Sequence, residues 1–139
     1  KIALGHHFND VVETALMSMM WGAELKTMLP KLKSQNYEGM ELLRPLYYVR
    51  EDDILAWKRY NGLEFLQCAC RFTERGEEHA GARAATKQLV RHLCGVNPQA
   101  DYNIFQSLHH VNLNMLPGWQ KDGKTYSFLD EYASSAIED

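Results

Sequence analysis

The residues best suited to chemistry stand together near the start of the chain. His6 and His7 follow a short apolar run, Ile2-Ala3-Leu4-Gly5, and lead into Phe8-Asn9-Asp10-Val11-Val12-Glu13-Thr14. The apolar run, residues 1–5, reads as a buried strand. A helix is expected from about residue 10 to 21, with Asn9 or Asp10 as its cap and Gly22 at its end. In an open α/β sheet, ligands bind beyond the C-terminal ends of the strands. Helix N-termini there leave main-chain N–H groups free for anions such as phosphate. Asp10 and Glu13 are three apart and share one helix face. They could orient the histidines or hold a Mg²⁺. The plainer alternative is that Asp10 caps the helix and the histidines pack.

Other reactive types are scattered. The three cysteines are Cys68, Cys70 and Cys94. An odd number argues against a disulfide framework. Cys94 falls in a helical apolar pattern and reads as a small buried hydrophobe. Cys68 and Cys70 are close enough to share a metal, for example a zinc with His79 as a further ligand. Arg83, Lys87 and Arg91 recur every four residues and form a basic helical stripe. Such a stripe is either a contact for RNA phosphates or a solvated face. Arg44 and Arg50 flank a strand end, where they could meet phosphate or pair with carboxylates such as Glu51. His109 and His110 are expected on a helix, in a structural or surface role.

The elements that must position these residues alternate in type. After the first strand and helix, Leu25 to Lys33 reads as a connector broken by Pro30. Turn residues at 34–36 and Gly39 precede two strand-like stretches, Met40 to Leu43 and Leu46 to Val49. Glu51, Asp52 and Asp53 favour a helix start through the macrodipole, and Asn61-Gly62 ends that helix after Tyr60. Leu63 to Leu66 reads as a strand, 77–94 as a long helix ended by Gly95, and about 98–112 as another, capped by Asn97. Asp122-Gly123 marks a turn, with a last helix from Ser127.

Strands alternating with helices predict an α/β layered fold over 1–76, with a helical extension and tail over 77–139. With 139 residues, 45% of them hydrophobic, the chain can bury a core. A net charge of −3 neither demands nor excludes a nucleic-acid partner. No apolar run is long enough to span a bilayer, no signal peptide is visible, and a cytoplasmic setting is expected. The chain starts at Lys1 inside its own first strand, so it is expected to be a piece of a longer protein. The apolar first strand and first helix would then lack cover and favour a homodimer. Alternatively the tail, with Tyr126, Phe128, Leu129 and Tyr132, supplies that cover.

The segment Leu4-Gly5-His6-His7-Phe8-Asn9-Asp10-Val11-Val12-Glu13-Thr14 resembles the LGHHxDDxxET signature of the PP-loop ATP pyrophosphatases. Asn9 stands where that signature has the first of two aspartates. It keeps the shape and loses the charge. The segment Leu25-Lys26-Thr27-Met28-Leu29-Pro30-Lys31-Leu32 is similar to the LKxMxPKL of the tRNA 2-thiocytidine synthetase branch. Arg44-Pro45-Leu46 with Arg50 and Ile54 is similar to its RPL…RxxDI. Cys68-Ala69-Cys70 falls where that branch has CxxC, one spacer shorter. The resemblance covers roughly residues 1–119.

The resemblance implies a three-layer PP-loop sheet domain and an ATP-dependent adenylation of a tRNA base, followed by attack of a sulfur donor. It implies Asp10 and Glu13 as catalytic residues, and His6, His7, Asn9, Arg44 and Arg50 at the nucleotide, with Mg²⁺. It implies Cys68 and Cys70 as metal ligands, with an iron–sulfur cluster in the whole protein. The family's SGGxDS loop has no counterpart here, so this chain alone is expected to be inactive. A lysidine synthetase-like ligase, or a non-catalytic partner- or RNA-binding domain, are the alternatives.

Overall fold

The computed structural model describes residues 1–34, 36–65 and 77–135. These form two compact units, Lys1–Leu108 and His109–Asp139. In the first, β1 (Ile2–Ala3) leads to α1 (Phe8–Gly22), then β2 (Lys31–Lys33), β3 (Glu41–Leu43), α2 (Glu51–Tyr60), α3 (Glu77–Val96) and α4 (Ala100–Ser107). The fold is α/β. The sheet has the order β1-β3-β2, with β1 parallel and β2 antiparallel to the central β3. The Leu4 N–H donates to the Leu43 carbonyl at 2.8 Å and extends the parallel ladder beyond β1. Glu41 ties all three strands, pairing with Lys1 on β1's side at 3.4 Å and Lys31 of β2 at 3.0 Å. Its hydrogen bond from Lys31 holds the carboxyl below its ordinary range.

The core sits on the first half of α1. Phe8, Val11, Val12 and Ala15 are buried together with Tyr47, Val90 of α3 and Phe105 of α4. The Phe105 ring lies 4.7 Å from Phe8 and 5.4 Å from Tyr47. Each such apolar side chain contributes about 1.5–3 kcal/mol when buried. Cys94, expected to be buried, is partly buried and packs against this cluster. Thr86, fully buried among these helices, satisfies its hydroxyl on the Ala82 carbonyl at 2.8 Å.

Several expectations need correction. Helix α1 starts at Phe8 with His7 as N-cap, so neither Asn9 nor Asp10 caps it from outside. Gly22 is its last residue and Ala23 adopts the left-handed turn, at φ 51°. The apolar residues of α1 are not buried throughout: Met19, Met20 and Trp21 are exposed, because the buried core gathers on the first half of the helix. The stretch after Pro30 is strand β2, since Lys31–Lys33 finds a partner in β3. Leu46 to Val49 is a turn, closed by Tyr47 N–H to Arg44 carbonyl at 3.1 Å and Val49 N–H to Leu46 carbonyl at 2.9 Å. Pro45 removes the donor that a strand would need there. Helix α2 and its stop agree with expectation; Gly62 takes φ 60°. Leu63–Phe65 forms no strand, and Leu66 lies outside the described residues. Helix α3 runs through Gly95 to Val96, and α4 is shorter than expected, leaving His109 and His110 beyond its end. Helices α3 and α4 pack on α1 within the compact unit Lys1–Leu108.

The second unit is a short 3₁₀ turn (Leu113–Met115), a hairpin of β4 (Gly118–Lys121) and β5 (Lys124–Ser127), and α5 (Phe128–Ser135). Asp122 and Gly123, at φ 51° and 74°, make the two-residue turn whose twist suits a hairpin. Trp119 and Tyr126 stack across it at 5.6 Å. The Ser127 N–H donates to Asp130 at 2.8 Å, and the Ser127 hydroxyl accepts from Leu129 N–H, so α5 is capped from both directions.

Candidate functional site

The end of β1 and the start of α1 are joined by Gly5-His6-His7, so the signature segment sits where the sheet's C-terminal edge meets a helix N-terminus. The His7 main-chain N–H donates to Asp10 Oδ2 at 2.9 Å, holding the first turn closed. His7 Nδ1 lies 3.5 Å from that carboxylate. The Nδ1 atoms of His6 and His7 are buried without a hydrogen-bond partner among the described residues. Asn9 serves a different helix: its Oδ1 accepts from the Glu51 N–H at 2.9 Å. An orphan donor of α2 is thus satisfied by a side chain of α1. The Phe8 N–H donates to the Val49 carbonyl at 3.0 Å and fixes the two helix starts side by side.

Asp10 and Glu13 do share a face, and Arg83 of α3 meets both. Its Nη2 pairs with Asp10 Oδ1, and its Nε lies 3.3 Å from Glu13 Oε2. Glu13 is only 6% exposed. Burial pushes its carboxyl above the ordinary value of 4.5, against the pull of Arg83 and Lys87. One turn along α3, Lys87 Nζ reaches both Glu51 oxygens, at 3.0 and 2.7 Å. Two members of the predicted basic stripe therefore point at carboxylates of α1 and α2; Arg91 is exposed. Such an arrangement does not fit Mg²⁺. A guanidinium already lies between the two carboxylates, where a cation would have to sit.

Arg50 makes a two-pronged pair with the buried Asp101 of α4, Nη1 to Oδ2 and Nη2 to Oδ1, the latter at 3.2 Å. Its guanidinium also lies 4.7 Å above the Phe8 ring. The bond to Asp101 raises its proton affinity. Arg44 donates to the Leu29 carbonyl. Sequence reasoning missed Asp101; an acidic residue in a first helical turn looks like ordinary macrodipole compensation. Cys68 and Cys70 lie outside the described residues, as does the side chain of His79.

Beside this network opens a cavity of about 750 Å³. Leu46, Val49, Ile54, Trp57 and Phe65 make it apolar, while Gly5, His7 and Glu51 bring the two helix starts to its wall. It has the size of a small-molecule site, with few polar groups on an apolar lining. Of this lining, His7 was singled out beforehand as a site residue and Glu51 as a helix start; the apolar wall comes from α2 and the turn before it.

A profile described as the PP-loop domain matches residues 1–71, just over half of the chain. The chain belongs to the PP-loop family. Among curated PP-loop relatives, a tRNA-cytidine(32) 2-sulfurtransferase from Coxiella burnetii is 33% identical over 117 residues, 84% of this chain and 43% of the relative. The protein of that name from Cellvibrio japonicus is 31% identical over 143 aligned residues, 100% of this chain and 44% of the relative. That from Photobacterium profundum reaches 44% over 68 residues, 49% of this chain and 22% of the relative. The chain thus spans less than half the length of these relatives. No described helix is long and apolar enough to cross a membrane.

Proposed function

We propose that this chain carries one side of the active site of an ATP-dependent tRNA-thiolating enzyme. What supports the reading most directly is the His6–Glu13 segment. It stands at the C-terminal end of β1, on the wall of an apolar cavity, in a chain whose relatives are named for tRNA-cytidine sulfur transfer. In the proposed reaction a base carbonyl oxygen bonds to the α-phosphorus of ATP while the bond to the β-phosphate oxygen breaks, releasing pyrophosphate. Sulfide-level sulfur, delivered as hydrosulfide by a donor, then bonds to the ring carbon of that carbonyl, AMP leaves with the oxygen, and loss of the sulfur's proton gives the thiocarbonyl.

The roles of this chain's residues follow from their places. His7 brings an imidazole to the cavity wall at the start of α1. Asp10 holds the His7 main chain. The apolar wall of Leu46, Ile54, Trp57 and Phe65 accommodates a flat heterocycle and excludes water from it. Arg44 and Arg50 act from behind, bound to Leu29 and Asp101, and set the strand end and the α2 start. Mg²⁺ would be held by the phosphates of the nucleoside triphosphate, since Arg83 already pairs with Asp10 Oδ1 and lies 3.3 Å from Glu13 Oε2. Cys68 and Cys70, only one residue apart, cannot alone fill a four-iron ligand set, and no step is assigned to such a cluster. Their presence favours sulfur over an amine as the second nucleophile. Activity on tRNA implies a cytoplasmic setting.

The test is replacement of the matching region of the Coxiella relative by this chain, in a strain lacking its own enzyme. The expected result is 2-thiocytidine in tRNA, lost on Cys68→Ser and kept on Cys94→Ser. A folded chimera that makes none, or equal effects of the two substitutions, overturns the proposal. The chain alone contains no Ser-Gly-Gly. It is expected to release no pyrophosphate from ATP with Mg²⁺ and tRNA, because the backbone cradle for the leaving group is absent.

A further inference from the structure

We propose that Arg83 is a positioning residue for the His6–Glu13 segment, and that the Asp10–Glu13 pair is its receptor and not a divalent-cation site; only the purpose of that positioning rests on the thiolation reading. Arg83 lies 73 residues from Asp10 in sequence and reaches it across the packed faces of α1 and α3. Both Asp10 oxygens are committed. Oδ1 takes Arg83, and Oδ2 takes the His7 N–H at 2.9 Å. Glu13 is buried beside them, with Arg83 Nε at 3.3 Å. A guanidinium is a rigid, planar, permanently charged fork, suited to two carboxylates at once. A divalent cation would have to displace this guanidinium from both carboxylates before either could serve as a ligand.

The pairing of Lys87 with Glu51 repeats the device on α2. The first turns of α1 and α2 both carry acidic residues: Asp10 on α1, and Glu51, Asp52 and Asp53 on α2. Both turns border the cavity through His7 and Glu51. Through Arg83 and Lys87, α3 therefore sets where these two helix starts stand. The stripe that looked available to RNA is used inward at two of its three positions. Positioning of His7 by α3 is the functional consequence. Arg83 holds Asp10, Asp10 holds the His7 N–H, and His7 lines the cavity.

The experiment uses the chain as it stands, without ATP or tRNA, so its failure is separate from failure of the thiolation reading. Mn²⁺ is titrated while the amide signals of residues 7–13 are followed by NMR. No selective broadening is expected, and selective broadening at Asp10 and Glu13 overturns the proposal. Hydrogen exchange of the His7 amide is then compared in the wild type, Arg83→Met, Arg83→Lys, Asp10→Asn and the Arg83→Met/Asp10→Asn double variant. The Met variant is expected to exchange roughly tenfold faster, as for loss of one hydrogen bond. Lysine should recover part of that protection, and the double variant should be no worse than Asp10→Asn alone. Additive effects, or full protection in Arg83→Met, overturn the proposal. If Arg83→Met does not fold, the Mn²⁺ titration and Arg83→Lys decide: partial loss of protection supports the proposal, and unchanged protection counts against it.

Discussion

Glu13 shows how one residue can be read correctly in kind and still be decided by its surroundings. Its spacing from Asp10 placed it on a common helix face, as the structure shows. Its burial raises the carboxyl above 4.5 despite the cations nearby. A group so raised contributes stability that is fully present below its unfolded value. That contribution is lost as pH rises through the folded value. Glu13→Gln cannot titrate. The wild type should therefore compare best with Glu13→Gln below pH 4.5, and its relative stability should fall as pH rises past that value. Paired thermal melts across that range check this. A wild-type advantage that grows with pH would mean that Arg83 outweighs burial. Asn9 teaches the complementary lesson. It lacks the charge that the family signature has at this position, yet its amide oxygen is what the Glu51 N–H requires.

Among elements, the ties that matter run between helix starts. Asn9 caps α2 from α1, and Asp101 of α4 receives Arg50 at the N-cap of α2. Asn9→Ala leaves an orphan N–H and is expected to cost about 0.5–2 kcal/mol, with faster exchange confined to the first turn of α2. Asp101→Asn weakens a charge-assisted bond to a partly exposed arginine and removes a buried charge. About 1–2 kcal/mol is expected, discounted for the exposure of Arg50. Chemical denaturation of both variants, with unchanged slopes, tests these values. No measurable loss of stability in either variant would contradict the role given to that bond. Sequence patterns located α2 and the hairpin turn because their signals are local: three consecutive acidic residues in one case, Asp-Gly in the other. Strand β2 escaped notice because three residues with two lysines have no strand pattern of their own. They become a strand only beside β3.

For the whole molecule, the open surfaces make a prediction. In the sheet β1-β3-β2, β1 has one strand neighbour among the described residues, and Ile2 is 43% exposed. Met19, Met20, Trp21, Leu25 and Leu29 add exposed apolar surface. Unpaired strand edges and apolar patches favour association. Light scattering over a concentration series should therefore give a mass that rises above the 16.0 kDa of one chain. A constant monomer mass at high concentration would overturn that expectation.

What the sequence determined by itself was whatever depends on neighbours along the chain. The strand–turn–helix at residues 2–22, the start and stop of α2, the start of α5, the hairpin turn and the family signature are all of this kind. Tertiary structure alone decided the pairings between distant residues: Arg83 with Asp10 and Glu13, Lys87 with Glu51, Arg50 with Asp101, and the apolar wall of the cavity. A helical stripe has the same spacing whether it faces water, RNA or another helix. Its meaning depends on which carboxylates the packing of α1, α2 and α4 brings within reach. That packing is set by apolar burial around Phe8, Val11, Val12 and Phe105, which carries no mark of the charges it will bring together.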